Sequence, residues 1–239
     1  MRLFALLAVL GAGCFDPQLP PGIACTAGAC PSGLICDRGV CRGALSDVDG
    51  GAADAIDANC STVTFREGPN YNGTADTTLD AGAATMDFGA DSRFSWDLES
   101  MAGFPNVGLL RFDDIVGDGD GKVPTEAVVQ SATLTVEIDN EGGQPPGTLR
   151  EVLVSWDEQT TWDTFGAAPG IEGDIGSVVA PLPSAEASHD IDVTSSFVPL
   201  TSDHRGWAFV SESSNGVDAY SSEANGESTR PSVSITYCD

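Results

Sequence analysis

The densest aromatic stretch of the chain reads Val152-Leu-Val-Ser-Trp-Asp-Glu-Gln-Thr-Thr-Trp-Asp-Thr-Phe165. It begins as a strand, because residues that suit a pleated sheet alternate through its first positions. It ends as a polar turn that contains Trp162 and Phe165. Side chains of this size are costly to leave in water, so they either build the core of a domain or form a face for a ligand.

The residues around this stretch, from 60 to 239, have the pattern of an all-β domain. Turns rich in Gly, Pro and Asp separate short segments that predict strands, which are 62–67, 93–98, 107–112, 129–138, 148–156, 187–193, 206–211, 219–222 and 232–237. We therefore predict a jelly-roll β-sandwich over 60–239. A disulfide between Cys60 and Cys238 would pin the first strand beside the last, and residues 192–198 would add a helical turn.

Residues 1–14 have the features of a signal peptide. Arg2 supplies the positive charge, an apolar run follows it, and small residues precede Cys14. The pattern resembles a bacterial lipobox, in which Cys14 is lipidated, although Leu10 lies one residue farther from Cys14 than that pattern requires. We predict a lipid anchor at the outer membrane or cell surface, which would be the chain's only membrane contact. Ordinary signal cleavage and secretion is the alternative.

Export places the chain in an oxidising compartment, which suits its cysteines. After a Pro-rich spacer (15–23), residues 24–42 predict a small disulfide-rich module, because so short a segment cannot bury a core. Its four cysteines allow three pairings, of which we favour Cys25–Cys36 with Cys30–Cys41. Residues 43–59 are small and acidic, which is typical of a flexible, disordered linker.

The chain is strongly acidic, with a formal net charge of −26. Residues 60–239 contain 7 basic and 30 acidic residues. This excess excludes nucleic acid and anionic membrane surfaces as partners, because no basic patch could neutralise phosphates. It favours a soluble monomer through self-repulsion. Arg111, inside an apolar strand, is expected to pair with Asp113 or Glu151 through its bidentate fork.

A group of acids follows the predicted strand 107–112. Carboxylate oxygens suit Ca²⁺, and the candidate ligands are Asp113, Asp114, Asp118 and Asp120. The group does not form an EF-hand loop, since the twelfth residue from Asp118 is Val129 rather than Glu. We predict a structural calcium ion here, with a solvated acidic turn as the alternative.

Catalysis has weak support in the sequence. The two histidines, His189 and His204, lie in polar stretches and are predicted to be isolated surface residues. No nucleophile elbow is present, so acyl transfer by a serine triad is not indicated. Paired carboxylates could hydrolyse a polysaccharide, but acids are so abundant that such pairs arise by chance. We predict that the chain is not an enzyme, and a secreted hydrolase is the least favoured reading.

Several segments occur in an order that resembles a known family. They are Asn70-Tyr-Asn-Gly-Thr74, Leu109-Leu-Arg-Phe-Asp113, Val123-Pro with Val129-Gln-Ser-Ala-Thr-Leu134, Trp156 with Thr160-Thr-Trp162, Asp192-Val-Thr194, and Ser221-Ser-Glu223 with Arg230-Pro231. Together they resemble the DNRLRE-type domains of secreted and surface proteins, which overlap carbohydrate-binding module family 96. The resemblance covers about 60–239 and implies a jelly roll that binds polysaccharide or serves in adhesion, without catalysis. The acidity of this chain favours neutral glycans.

Sugar binding would use aromatic rings stacked on pyranose faces, with nearby carboxylates and amides that hydrogen-bond hydroxyl groups. The candidate ligand-binding residues are Trp162, Phe165, Tyr71, Tyr220, Asp157 and Glu158. Trp156 and Trp207 lie in apolar strands and are predicted to be core. The alternative is a structural or adhesion lipoprotein with a protein partner. A glycan-binding domain should expose two of the candidate aromatic residues side by side.

Overall fold

The computed structural model describes residues 34–37, 40–43, 60–99, 103–167 and 170–238. The chain divides into two compact units, Met1–Ile56 and Asp57–Asp239. In the first unit, strands β1 (Leu34–Asp37) and β2 (Val40–Gly43) form an antiparallel hairpin in which Cys36 is opposite Cys41. The predicted signal peptide, lipidation site, spacer and linker lie outside the described residues, apart from Gly43, as do Cys25 and Cys30.

The second unit is a sandwich of two antiparallel sheets, which confirms the all-β prediction. Its strands are β3 (Cys60–Arg66), β4 (Thr74–Asp80), β5 (Arg93–Trp96), β6 (Asn106–Phe112), β7 (Val128–Asn140), β8 (Thr148–Val152), β9 (Ile175–Pro181), β10 (Ala187–Asp192), β11 (Trp207–Val210), β12 (Val217–Tyr220) and β13 (Ser232–Cys238). The first sheet has the order β3-β13-β7-β12-β5, and β10 also pairs with β7. The second sheet has the order β4-β6-β11-β8-β9.

The first and last strands of the sandwich are neighbours, as the cysteine spacing predicted. β13 pairs with β3 along its length, and Cys238 is opposite Cys60 in the register. The two residues form a disulfide that closes a sequence separation of 178 residues. A loop of that size loses about 5 kcal/mol of entropy in the unfolded chain when it is crosslinked, by the chain-entropy account.

The main core lies between the sheets. Along β7, Ala132, Leu134, Val136 and Ile138 are buried, whereas the residues between them are partly exposed. This alternation is the period of a strand with one face on a core. The largest side chains buried there are Trp96, Trp207, Phe94, Phe112, Phe197 and Phe209. Phe197 reaches the core from a 3₁₀ turn at Thr194–Phe197, which confirms the predicted helical turn.

A second apolar cluster lies on the other face of the second sheet. Its members are Ala75, Leu79, Val107, Leu109, Val152, Trp156, Phe165 and Ala208. On β6 and β11 they alternate with residues of the main core, so they point to the opposite, outer face. We call this group the outer-face cluster. The polar turn of the stretch Val152–Phe165, which we call the opening stretch, covers that face. The strand that was predicted to run to residue 156 ends at Val152.

Two strands of the sandwich, β4 and β9, were missed by the sequence pattern. Residues 74–79 of β4 are all buried: on one face Asp76 and Thr78 accept hydrogen bonds from the amides of Ser222 and Ser95, and on the other face Ala75 and Leu79 belong to the outer-face cluster. Burial on both faces removes the alternation that reveals a strand. The helical segments of the described part are turns of three or four residues, and none has the length or apolarity to cross a bilayer.

Candidate functional site

The aromatic residues of the opening stretch belong to the outer-face cluster. Trp156 is 6% exposed and Phe165 is 0% exposed. Trp156 therefore confirms its assignment to the core, whereas the prediction that Phe165 stacks on a ligand is wrong. Packing of Phe165 under its own turn leaves no ring face for a sugar. Trp162 is half-buried and packs against the same cluster.

The remaining aromatic candidates lie elsewhere. Tyr220 is half-buried on β12, where its hydroxyl donates to Asp139 and the Arg93 guanidinium lies 5.6 Å from its ring centroid. Tyr71 lies in the connection between β3 and β4. Within the described residues, no two of the four predicted aromatic residues are exposed side by side. The expected aromatic platform is therefore not formed.

The two carboxylates predicted beside Trp156 have different surroundings. Asp157 accepts hydrogen bonds from the Gln159 amide and the Thr160 hydroxyl, each at 3.1 Å, so it stabilises its own turn. Glu158 is half-buried, and burial raises its pKa above the usual value, with Glu223 adding to the rise. Neither residue stands beside an exposed ring of the predicted set.

A cleft of about 570 Å³ opens along β3, and its aromatic residues are Tyr71 and the buried Phe65. Its walls are β3, the β3–β4 connection, residues 113–114 and 120–122, and Glu227. Its size is within the usual range for ligand sites. We call it the Tyr71 cleft. It gathers one predicted ligand-binding residue and three residues of the predicted metal group, Asp113, Asp114 and Asp120.

The wall formed by residues 113–122 is fixed to the body of the domain by apolar anchors. Ile115 and Val123 are 3% and 0% exposed and belong to the main core. The Val123 amide donates to the Ile115 carbonyl at 2.9 Å, and Val116 pairs with Val123 in an isolated bridge. The acidic tip between these anchors is therefore a closed loop that is rigid at its base.

Tyr71 is held in the cleft from two directions. Its ring lies edge-on to Phe65 at 5.3 Å and stacks on Phe112 at 6.4 Å. Its hydroxyl donates to the Asp113 carbonyl at 2.7 Å. Burial raises the pKa of Tyr71 above its usual value, and Asp113 adds to the rise. The phenol therefore stays protonated and acts as a hydrogen-bond donor.

The polar groups of the cleft combine amides, carboxylates and two cations. Asn70, Asn72 and Asp120 are exposed at the cleft. The amine of Lys122, the only lysine of the chain, lies 2.5 Å from the Asp114 carboxylate. The other cation, Arg66, donates to the Ser232 hydroxyl at 3.0 Å.

The predicted calcium ligands are not gathered into one group. Asp113 pairs with Arg111, which confirms the partner expected for that arginine, and Asp114 pairs with Lys122. Asp118 accepts from the Thr125 hydroxyl at 3.3 Å. Among the described residues, no three His, Cys, Asp or Glu side chains are placed to hold a metal ion. Calcium at this loop stays a prediction, and it would require these carboxylates to turn away from their present partners.

The histidines differ from each other. His189 is half-buried on β10 and contacts the Ala185 carbonyl at 2.7 Å. The prediction of an isolated surface residue is wrong for His204, because its ring stacks on Phe197 at 4.9 Å and meets Trp207 edge-on at 4.5 Å. Burial, with a smaller contribution from the charge of Arg111, lowers the pKa of His204 to about 4. It is a neutral packing residue at neutral pH.

One acid that the sequence did not single out is buried inside the sandwich. Asp76 on β4 is 1% exposed and accepts a hydrogen bond from the Ser222 amide at 2.8 Å. Burial, with smaller contributions from the charges of Glu223 and Glu158, raises the pKa of Asp76 to about 7. A polar residue in a segment without strand alternation gives no sequence signal, so burial could not be predicted.

No family model matches the chain, and no curated protein matches it. The resemblance to DNRLRE-type domains therefore rests on the ordered motifs alone. The fold and the cleft together define a β-sandwich with a polar cleft, which contains Tyr71, at one edge of its first sheet.

Proposed function

We propose that this chain is a non-catalytic carbohydrate-binding protein displayed on the cell surface, and that its glycan binds in the Tyr71 cleft. The observation that carries the proposal is the cleft itself, where an aromatic ring stands among exposed amides and carboxylates. Sugars are bound by this combination, because C–H faces contact the ring while hydroxyl groups hydrogen-bond to amides and acids.

The charges of the cleft favour a neutral glycan. Asp113, Asp114, Asp120 and Glu227 outnumber the two cations of the lining, and Lys122 is already paired with Asp114. A polyanionic glycan would meet net repulsion there and across the acidic domain. Neutral hydroxyl groups would find both donors and acceptors.

We further propose that lipidated Cys14 anchors the mature chain, so that the sandwich is presented outside the cell. The support is the sequence of residues 1–14. An alkyne fatty acid fed to expressing cells should label the wild-type chain and leave Cys14→Ser unlabelled. Labelling of both chains, or of neither, would contradict the anchor.

The binding proposal is tested on a glycan array that contains neutral and uronic-acid oligosaccharides. We expect the wild-type chain to bind neutral glycans, and Asn70→Ala to weaken binding about tenfold, which is the loss of about 1.4 kcal/mol of hydrogen bonding. Asn225→Ala is the matched control, because Asn225 is also an exposed loop asparagine but does not line the cleft.

The variant Trp162→Ala distinguishes glycan binding in the Tyr71 cleft from glycan binding at the outer face of the second sheet. Binding that survives Trp162→Ala and fails in Asn70→Ala supports the cleft, whereas the reverse pattern would move the site to the opening stretch. Binding restricted to uronic acids would contradict the neutral ligand. No binding at all would contradict the function.

A protein partner is the second candidate, and one observation favours it. Leu98 and Phe104 lie in the β5–β6 connection and are 52% and 50% exposed. Exposed apolar side chains of this size are typical of contact surfaces when they lie close together. Two results together would indicate an adhesion role through this connection. The chain would bind no glycan on the array, and it would bind a protein ligand whose binding is lost in Phe104→Ser.

A further inference from the structure

We infer that Arg111 is a positioning residue for the Tyr71 cleft, and that it connects the cleft wall to Trp156 on the outer face of the second sheet. The inference rests on the proposed function, because that function makes the Tyr71 cleft the ligand site. It identifies two residues outside the cleft that determine the shape of the ligand site.

The first link runs from Arg111 to the cleft wall. Nη2 of Arg111 donates to Oδ2 of Asp113 at 2.8 Å, and Nε lies 2.5 Å from Oδ1 as an ion pair without hydrogen-bond geometry. Two contacts to one carboxylate restrict its orientation more than a single contact would. Arg111 therefore fixes the side chain of Asp113, the first residue of the cleft wall after β6.

The second link runs from the backbone of Asp113 to the opposite wall. The Asp113 amide donates to the Gly73 carbonyl at 2.7 Å, and the Asp113 carbonyl accepts from the Tyr71 hydroxyl at 2.7 Å. A Cβ atom on Gly73 would lie 2.8 Å from both that carbonyl oxygen and the Tyr71 hydroxyl. The two walls therefore approach closely at Asp113, and a shift of this residue would move the Tyr71 ring.

The third link holds the guanidinium in place. Arg111 lies 4.7 Å from the centre of the Trp156 ring, and its Nη1 donates to the Trp156 carbonyl at 2.5 Å. The Trp156 indole donates to the Arg205 carbonyl at 2.8 Å. The negative face of an indole ring attracts a cation, and the attraction is stronger when the pair is partly desolvated. Trp156 thus restricts Arg111 in the orientation that reaches Asp113.

The next residue extends the effect into the cleft. Asp114 has a φ of 60°, the left-handed conformation that few non-glycine residues adopt, and its carboxylate pairs with Lys122. This conformation persists only when the surrounding contacts impose it. Loss of the Arg111 contact would let residues 113–114 relax, and Tyr71 and Lys122 would both lose their partners.

The test measures nitration of Tyr71 by tetranitromethane, which attacks the phenolate form of accessible tyrosines, in the full chain at pH 8. We expect Arg111→Gln to raise the nitration of Tyr71 relative to Tyr237 several-fold, while circular dichroism stays native. Arg93→Gln is the matched control, because Arg93 also pairs with a carboxylate, Asp139, but does not line the cleft. A purely structural role would lower the melting temperature and leave Tyr71 unreactive in the folded state.

Neutral-glycan array binding is measured with the same variants. We expect Arg111→Gln to weaken binding about tenfold and Arg93→Gln to leave it unchanged. If Arg111→Gln does not fold, Trp156→Phe replaces it, and an increase in Tyr71 nitration is expected again. Unchanged nitration in the folded variant overturns the positioning role. A wild-type chain that binds no glycan, with nitration raised in Arg111→Gln, overturns the proposed function and leaves the positioning role supported.

Discussion

At the scale of residues, ionisable groups inside the sandwich determine how its stability depends on pH. Asp76 is buried beside Glu223 and Glu158, and its pKa is raised to about 7. Because the folded pKa exceeds the unfolded one, the stability that this group contributes is complete below about pH 4 and is lost as the pH rises through 7. His204 acts in the other direction, since its lowered pKa makes folding less favourable as the pH falls below 6.5.

Asp76→Asn should remove the alkaline part of this dependence. In the wild-type chain, raising the pH from 5 to 8 should cost about 3 kcal/mol of unfolding free energy through Asp76. Urea unfolding at both pH values measures the cost, and Asp87→Asn, an exposed acid, is the control. Equal pH slopes in Asp76→Asn and the wild-type chain would contradict the buried ionisation.

At the scale of elements, the turn after β8 shows what the sequence could and could not predict. The strand alternation of β7 and β13 and the apolar setting of Trp156 and Trp207 were sufficient to predict strands and core. The burial of Phe165 could not be predicted, because its residue type and its polar neighbours suit a ligand-binding loop as well as a turn that packs on the core. Its burial depends on the outer-face cluster, which forms from β4, β6, β8 and β11 and has no local signal.

The same reason limits the prediction of the site. Tyr71 could be named from its sequence, but not its placement opposite Asp113, since that contact joins residues 42 positions apart. The acids at 113–120 predict a metal site, but the sequence does not show that two of them, Asp113 and Asp114, pair with nearby cations. Arg111 was expected to pair with a carboxylate, whereas the fold of the loop that brings Lys122 to Asp114 could not be predicted from composition.

Phe165→Ala should destabilise the domain without impairing glycan binding. Removal of a buried phenylalanine costs about 3–5 kcal/mol, from lost burial and the cavity that remains. Phe104→Ala is the matched control, because Phe104 is 50% exposed and should cost less than about 1 kcal/mol. Urea unfolding gives the stabilities. If Phe165→Ala lost binding while folded and stable, Phe165 would belong to the ligand site after all.

At the scale of the whole molecule, a disulfide and two sheets hold together a domain with a large excess of negative charge. The self-repulsion of 30 acids against 7 bases opposes compaction. The Cys60–Cys238 disulfide compensates by restricting the unfolded chain. It lies at the start of β3, the edge strand of the first sheet that also lines the Tyr71 cleft.

Replacing both cysteines should therefore lower the stability of the sandwich. We expect Cys60→Ser with Cys238→Ser to reduce the unfolding free energy by about 2–5 kcal/mol. Tryptophan fluorescence during urea unfolding reports on this unit alone, since all four tryptophans lie between residues 96 and 207. An unchanged unfolding midpoint would show that the disulfide contributes nothing to stability.

The most direct test of the proposed ligand site is a chemical-shift map of the ¹⁵N-labelled chain titrated with a neutral oligosaccharide that binds on the array. We predict that the perturbed amides lie in 63–73 and 113–122, with the side-chain amides of Asn70 and Asn72 among them. Perturbations confined to 156–170, or to the Leu98 and Phe104 connection, would contradict the Tyr71 cleft as the glycan-binding site.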